Sequence, residues 1–157
     1  MEERHLIVTA IKNGTVLDHI PADQIYRVMD ILGLRGAPNQ ITVGINLDSK
    51  TLGKKGIIKI ADRWLEDSEV NRLALVAPNA TINIIKDFQV TEKKVIRTPK
   101  EIVGIARCNN PKCITNHEPI KTRFTTIEKN GEISLLCHYC EKITPAQKIK
   151  IISGDDE

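Results

Sequence analysis

QITVGINLDSKTLGKKGIIKIA, residues 40–61, holds two strand-like runs with a turn between them and no helix. QITVGINL (40–47) and GIIKIA (56–61) are rich in β-branched residues, which fit the pleated surface of a sheet. Asp48-Ser49-Lys50 begins the turn. Two strands in direct succession decide the fold, because the segments on either side of them are helical. Upstream, Ile25, Val28, Met29 and Leu32 recur at i, i+3, i+4 and i+7, one buried stripe. Ile20-Pro21 starts that helix, since proline suits the first turn, and Gly33 stops it. Downstream, Ser68 reads as an N-cap, Val70, Leu73, Ala74 and Ala77 repeat the stripe, and Pro78 ends it. HLIVTAI (5–11) reads as a strand before the first helix and TINIIK (81–86) as one after the second. Residues 88–96 extend the sheet. The order β-α-β-β-α-β predicts an α+β, ferredoxin-like domain, and about a hundred residues can bury one modest core.

Thr98-Pro99 separates the apolar run ending at Ile96 from another at Ile102-Val103. Pro99 cannot donate to a ladder and biases Thr98 toward extended backbone. The expected division is therefore residues 1–97, a hinge at 98–100, and a small all-β module at 101–157. In that module residues 101–106 and 122–128 read as short strands, and Asn130-Gly131 is a strong hairpin signal.

All four cysteines lie in this second part: Cys108 and Cys113 with four residues between them, Cys137 and Cys140 with two. The pairs flank the expected hairpin. Cytosolic chains rarely keep disulfides, so clustered thiols point to metal. Zinc takes four borderline or soft ligands in a tetrahedron, and two knuckles at the ends of a hairpin supply them, a zinc-ribbon-like arrangement. Asn109-Asn110-Pro111 favours the tight turn of the first knuckle. Tetrahedral iron is chemically possible with the same ligands. A redox role for Cys137-x-x-Cys140 is disfavoured because the pair opens no predicted helix. His117 and His138 read as surface residues beside a complete sulfur set. Four cysteines leave no open position for catalysis at the metal. A module this small, with few aromatics, is expected to draw much of its folding energy from the metal.

No motif for reaction chemistry occurs. Gly53-Lys54-Lys55-Gly56 lacks P-loop spacing, and there is no HExxH, GxSxG or dinucleotide fingerprint. Asp18 and His19 have the composition of an acid–base pair, but sequence neighbours do not share a strand face. Binding chemistry is better represented. Alternation sends Ile58 and Ile60 to one face of their strand and Lys59 to the other, and it separates Ile82 and Ile84 from Asn83 and Ile85. Lys59, Asn83 and Ile85 together offer a cation, an amide and an apolar wall, which suits a small anion with a flat base. Lys93 and Lys94 follow on the next strand. On composition alone each lysine is a solvated outer-face residue.

Several stretches carry a resemblance: GTVLDHIPA (14–22), ITVGINLDS (41–49), GKKGIIKI (53–60), LALVAPNATIN (73–83), RCNNPKCITNHEPI (107–120) and LLCHYCEK (135–142). Over nearly its whole length the sequence resembles the regulatory chains of aspartate carbamoyltransferase, an enzyme of pyrimidine synthesis. The resemblance implies a noncatalytic subunit. Its first domain would bind CTP and ATP and pair with a second regulatory chain, and its zinc domain would dock on the catalytic chain. The nucleotide site so implied comprises Val8, Thr9, Ala10, Ile11, Asp18, His19, Lys59, Asn83, Ile85, Phe88, Val90 and Lys93. Familiar members carry an acidic residue where Thr9 stands and a tyrosine where Phe88 stands. Contacts made through backbone at those positions survive the change. Lys54 and Lys55 are near the expected phosphates without an assigned contact.

Composition limits the rivals. The 157 residues have a net charge of +3 and 3% aromatics, too mild a charge to demand a nucleic-acid or membrane partner. An RNA-binding protein is the main alternative, since its recognition fold is also βαββαβ. That fold needs exposed aromatics on its central strands, and GIIKIA and TINIIK have none. No signal peptide or membrane span is read at the N-terminus, so a cytoplasmic location is expected.

Overall fold

The computed structural model describes residues 10–152. They form two compact units. One runs to Arg97 without Ala74–Val76, and the other joins Ala74–Val76 to the residues from Thr98 onward. The first contains strands β1 (Gly14–Pro21), β2 (Ile41–Ser49), β3 (Gly53–Ala61), β4 (Thr81–Lys86) and β5 (Gln89–Val95). Helix α1 (Ile25–Ile31) follows β1, and helix α2 (Asp67–Val76) follows β3. The sheet order is β2-β3-β1-β4-β5, and every neighbouring pair is antiparallel. Without the extra edge strand β5 this is the four-stranded ferredoxin-like sheet. Leu17, Ile20, Ile58, Ile60 and Ile82 from the sheet and Ile25, Val28 and Leu32 in or next to α1 are all buried, at most 5% exposed.

The first strand differs from expectation. Residues 5–9 of the expected strand lie outside the described residues, and Ala10 and Ile11 are in no strand. The central strand is Gly14–Pro21, where the helix was expected to start. Two features hide it in the sequence. A bulge between Leu17 and Ile20 breaks the alternation, and His19 there adopts φ 58°. Pro21 is extended at φ −54°, ψ 131°, so a 3₁₀ turn over Ala22–Gln24 intervenes before α1. Gly33, at φ 63°, ends the helical region as expected.

Helix α2 is capped by Glu66, not Ser68. The Glu66 N–H donates to the Glu69 side chain at 3.1 Å, closing a capping box. Arg63 explains why the box sits there: its Nη2 bonds the other Glu69 oxygen at 2.7 Å and fixes the acid at the third helical position.

Apart from Ala74–Val76 at the end of α2, the second unit is built on short β-strands. Strands β6 (Glu101–Val103), β8 (Arg123–Lys129), β9 (Glu132–Cys137) and β10 (Ile143–Pro145) form one sheet in the order β10-β9-β8-β6. Strands β7 (Ala106–Arg107) and β11 (Lys150–Ile151) pair separately. The single strand expected over 101–106 is split by Gly104, whose φ of 72° turns the chain and whose N–H donates to Thr122 O at 2.9 Å. The β8–β9 hairpin turns at Asn130 and Gly131, with φ 53° and 79°, as the Asn-Gly signal predicts. Leu75, Ile102, Ala106, Phe124, Leu135 and Ile149 make a small core with Cys108, Cys113 and Cys137.

Candidate functional site

The four cysteines converge. Turns at the two ends of the module aim them: the Cys113 N–H donates to Asn110 O at 3.0 Å in the first knuckle, and the Glu141 N–H to Cys137 O at 3.0 Å in the second. Asn116 clamps the first knuckle by donating to Cys108 O at 3.0 Å and Asn110 O at 2.8 Å. All four sulfurs lie within 4.8 Å of one another. Cys108 and Cys140 are 3.6 Å apart and Cys113 and Cys137 3.8 Å. A disulfide is about 2.0 Å long, so these are not bonded pairs. A regular tetrahedron with metal–sulfur bonds of about 2.3 Å has sulfurs about 3.8 Å apart, so the donor set fits such an ion.

The electrostatics favour the same reading. Burial pushes the Cys108 thiol up to about 12 and raises that of Cys137. Burial also raises Cys140, but the Lys142 backbone and then Asn110 and the neighbouring thiols outweigh it and hold Cys140 at about 7. A cation bound among the sulfurs would offset the penalty that burial sets on the Cys108 and Cys137 thiolates. Among the described residues no histidine belongs to the cluster. His117 Nε2 lies 2.8 Å from Pro111 O, and His138 meets Tyr139 edge-on with centroids 5.5 Å apart.

On the first unit's sheet, strand register gathers the other candidates. Val16 on β1 stands opposite Lys59 on β3 and Asn83 on β4. Asn83 in turn faces Lys93, and Lys59 faces Thr42. Thr42, Lys59, Val16, Asn83 and Lys93 therefore form one transverse row on one sheet face. The face opposite carries the buried Leu17, Ile58 and Ile82. Two residues along β1, Gly14 faces Ile85, and Ile85 faces Val90. Two residues the other way, Asp18 faces Thr81. The face thus grades from an apolar end through a cationic and amide middle to an acidic end.

Individual positions refine this. Ile85 is 7% exposed and Val90 58%, so the apolar end has a closed wall and an open one. Phe88 is exposed in the β4–β5 turn, and its N–H donates to Lys12 O at 2.9 Å, which ties the turn to the segment holding Ala10 and Ile11. Val8 and Thr9 lie outside the described residues. The bulge in β1 brings Asp18 and His19 together after all: the His19 N–H donates to Asp18 Oδ1 at 2.6 Å, and Nδ1 lies 3.9 Å from Oδ2. Lys55 pairs with Asp18 at 2.9 Å, a partner that sequence reasoning left unassigned. Lys54 pairs instead with Asp48 at 2.6 Å, at the β2–β3 turn. Burial pushes the Lys59 ammonium below its ordinary value, and Asp18 acts against that shift. Val16 and Thr42 also stand in this row. Only strand register reveals them, and the bulges that set it leave no sequence signal.

Comparison with known proteins covers both units. The family model described as aspartate carbamoyltransferase regulatory chain, allosteric domain, matches residues 6–97. The model described as aspartate carbamoyltransferase regulatory chain, metal binding domain, matches residues 100–150. The protein is 53% identical to the aspartate carbamoyltransferase regulatory chain of Phocaeicola vulgatus, over 94% of each sequence. It is 52% identical to that of Bacteroides fragilis, over 94% of this sequence and 95% of the relative. It is 47% identical to that of Pyrococcus abyssi, over 92% and 95%. Among the described residues no helix is long and apolar enough to cross a membrane.

Proposed function

The chain belongs to the family of aspartate carbamoyltransferase regulatory chains, and from that premise we propose how its two units divide the work. The chain is noncatalytic. Its first domain, residues 1–97, binds CTP and ATP on the open face of the sheet. After a hinge at 98–100, residues 101–157 fold around one zinc ion held by Cys108, Cys113, Cys137 and Cys140 and dock on the catalytic chain. The ion's chemistry is structural: it joins the two knuckles and neutralises the thiolates.

The observation that carries the nucleotide reading is the transverse row. Lys59 and Lys93 stand three strands apart, about 14 Å at the usual strand spacing, too far for one phosphate and suited to an extended anion. Lys93, at the exposed edge, meets the phosphate chain. Lys59 and Asn83, half-buried beside Val16, bond the part of the ligand over the middle of the sheet, and Ile85 and Val90 flank the base. Val8, Thr9, Ala10, Ile11, Asp18, His19 and Phe88 complete the site. Among the described residues β2 is an edge strand with no strand paired on its outer side, a surface that supports pairing with a second regulatory chain. A biosynthetic regulator of this kind works in the cytoplasm.

The test is thermal unfolding of the zinc-loaded protein with CTP, ATP or a short single-stranded RNA. A ligand that binds only the folded state at a hundred times its Kd stabilises it by about 2.7 kcal/mol. CTP and ATP raise the midpoint and the RNA leaves it unchanged. A shift with RNA alone would replace this reading by the RNA-binding one.

A further inference from the structure

The sequence contains two Asn-Gly pairs, Asn13-Gly14 and Asn130-Gly131, and the fold treats them differently. Asparagine followed by glycine is the sequence most open to spontaneous deamidation. The glycine N attacks the asparagine Cγ and forms a succinimide, and no Cβ on the glycine hinders the approach. The reaction needs the asparagine side chain free to turn and the following N–H free of partners.

At Asn13 both conditions fail. Its Oδ1 accepts the Asp87 N–H at 3.1 Å, and its backbone carbonyl accepts the Asp62 N–H at 2.9 Å. Gly14 is buried and paired on both sides within the central strand, opposite Ala61 and Ile85. Ring closure there requires opening the middle of the sheet.

At Asn130 both conditions are met. Asn130 and Gly131 are exposed at the tip of the β8–β9 hairpin. Among the described residues neither the Asn130 side chain nor the Gly131 N–H has a hydrogen-bond partner. The last cross-strand pair is Lys129 with Glu132, so the turn opens without unpairing any other part of the ladder.

We propose that Asn130 is a site of spontaneous deamidation in the folded protein and that Asn13 is protected by the fold. The Gly131 N forms a bond to Asn130 Cγ while the bond from Cγ to Nδ2 breaks and ammonia leaves. Water then opens the ring at either carbonyl, giving aspartate or isoaspartate. Either product adds a negative charge beside Glu132. Isoaspartate also adds one carbon to the backbone of the turn.

The experiment incubates the zinc-loaded, full-length protein at mildly alkaline pH, with a parallel sample in denaturant. Peptide mass spectrometry follows amide-to-acid conversion at both positions, and a protein isoaspartyl methyltransferase counts isoaspartate. In denaturant the two sites convert at similar rates. In the folded protein Asn130 converts at least about tenfold faster than Asn13, a ratio equivalent to about 1.4 kcal/mol of extra opening cost. An Asn130→Gln variant loses the isoaspartate signal. Equal rates in the folded protein would overturn the proposal. So would conversion at both sites in denaturant with none at Asn130 when folded, since the turn would then be protective.

Discussion

Lys59 is the residue on which the nucleotide reading depends most. It is half-buried on β3, opposite Val16 and Thr42. A hydrogen bond to a charged group contributes about 1.5–3 kcal/mol, so Lys59→Ala weakens CTP binding by roughly 10- to 150-fold. Calorimetric titration of the variant checks this, with circular dichroism confirming an unchanged fold. The pH dependence follows from the same residue. Burial lowers the Lys59 pKa from the ordinary 10.5, so the free protein loses this charge earlier on the alkaline side than an exposed lysine would. CTP affinity therefore falls with rising pH below 10.5, and the fall flattens in Lys59→Ala. A titration series in pH, run on both proteins, reads the difference.

At the scale of elements, β1 and α2 hold the least predictable parts of the fold. Gly14 opens β1 at φ 138°, where a Cβ would stand 2.1 Å from Ile60 O. Backbone at both neighbours cannot yield, so Gly14→Ala destabilises the first unit by about 1–3 kcal/mol or more, the usual cost of a strained backbone position. Denaturant unfolding measures it. Glu69→Ala removes one arm of the α2 capping box and the partner of Arg63, and costs about 1–2 kcal/mol by the same assay. Strands β2, β3 and β4 were legible because β-branched residues are dense in them, and TINIIK occupies β4 as read. Strand β1 was not, because a bulge, a left-handed His19 and a terminal proline interrupt the pattern that alternation relies on. The metal centre was legible from spacing, since knuckle turns are local. The face of Lys59 and Asn83 was legible from alternation. Their alignment with Val16 and Lys93 was not, because register between strands distant in sequence depends on the bulges and on long-range packing.

For the whole molecule, the proposed zinc and nucleotide sites lie in different units. The second unit's core consists of a few aliphatic side chains, Phe124 and the cysteines, so losing one thiolate removes much of what holds it. Cys113→Ser therefore unfolds the module, and size-exclusion chromatography with the catalytic subunit shows no joint complex. Chelation of the wild-type protein has the same outcome, reversed by adding zinc. On the proposed function this protein carries nucleotide control to a catalytic partner without catalysing anything itself. Aspartate saturation of the reconstituted complex, measured with and without CTP, decides it. CTP is expected to shift the half-saturating aspartate concentration in the wild-type complex, the shift is lost at the same CTP concentration in the Lys59→Ala complex, and the protein alone turns over no carbamoyl phosphate. An assembled wild-type complex whose saturation curve is the same with and without saturating nucleotide would contradict it.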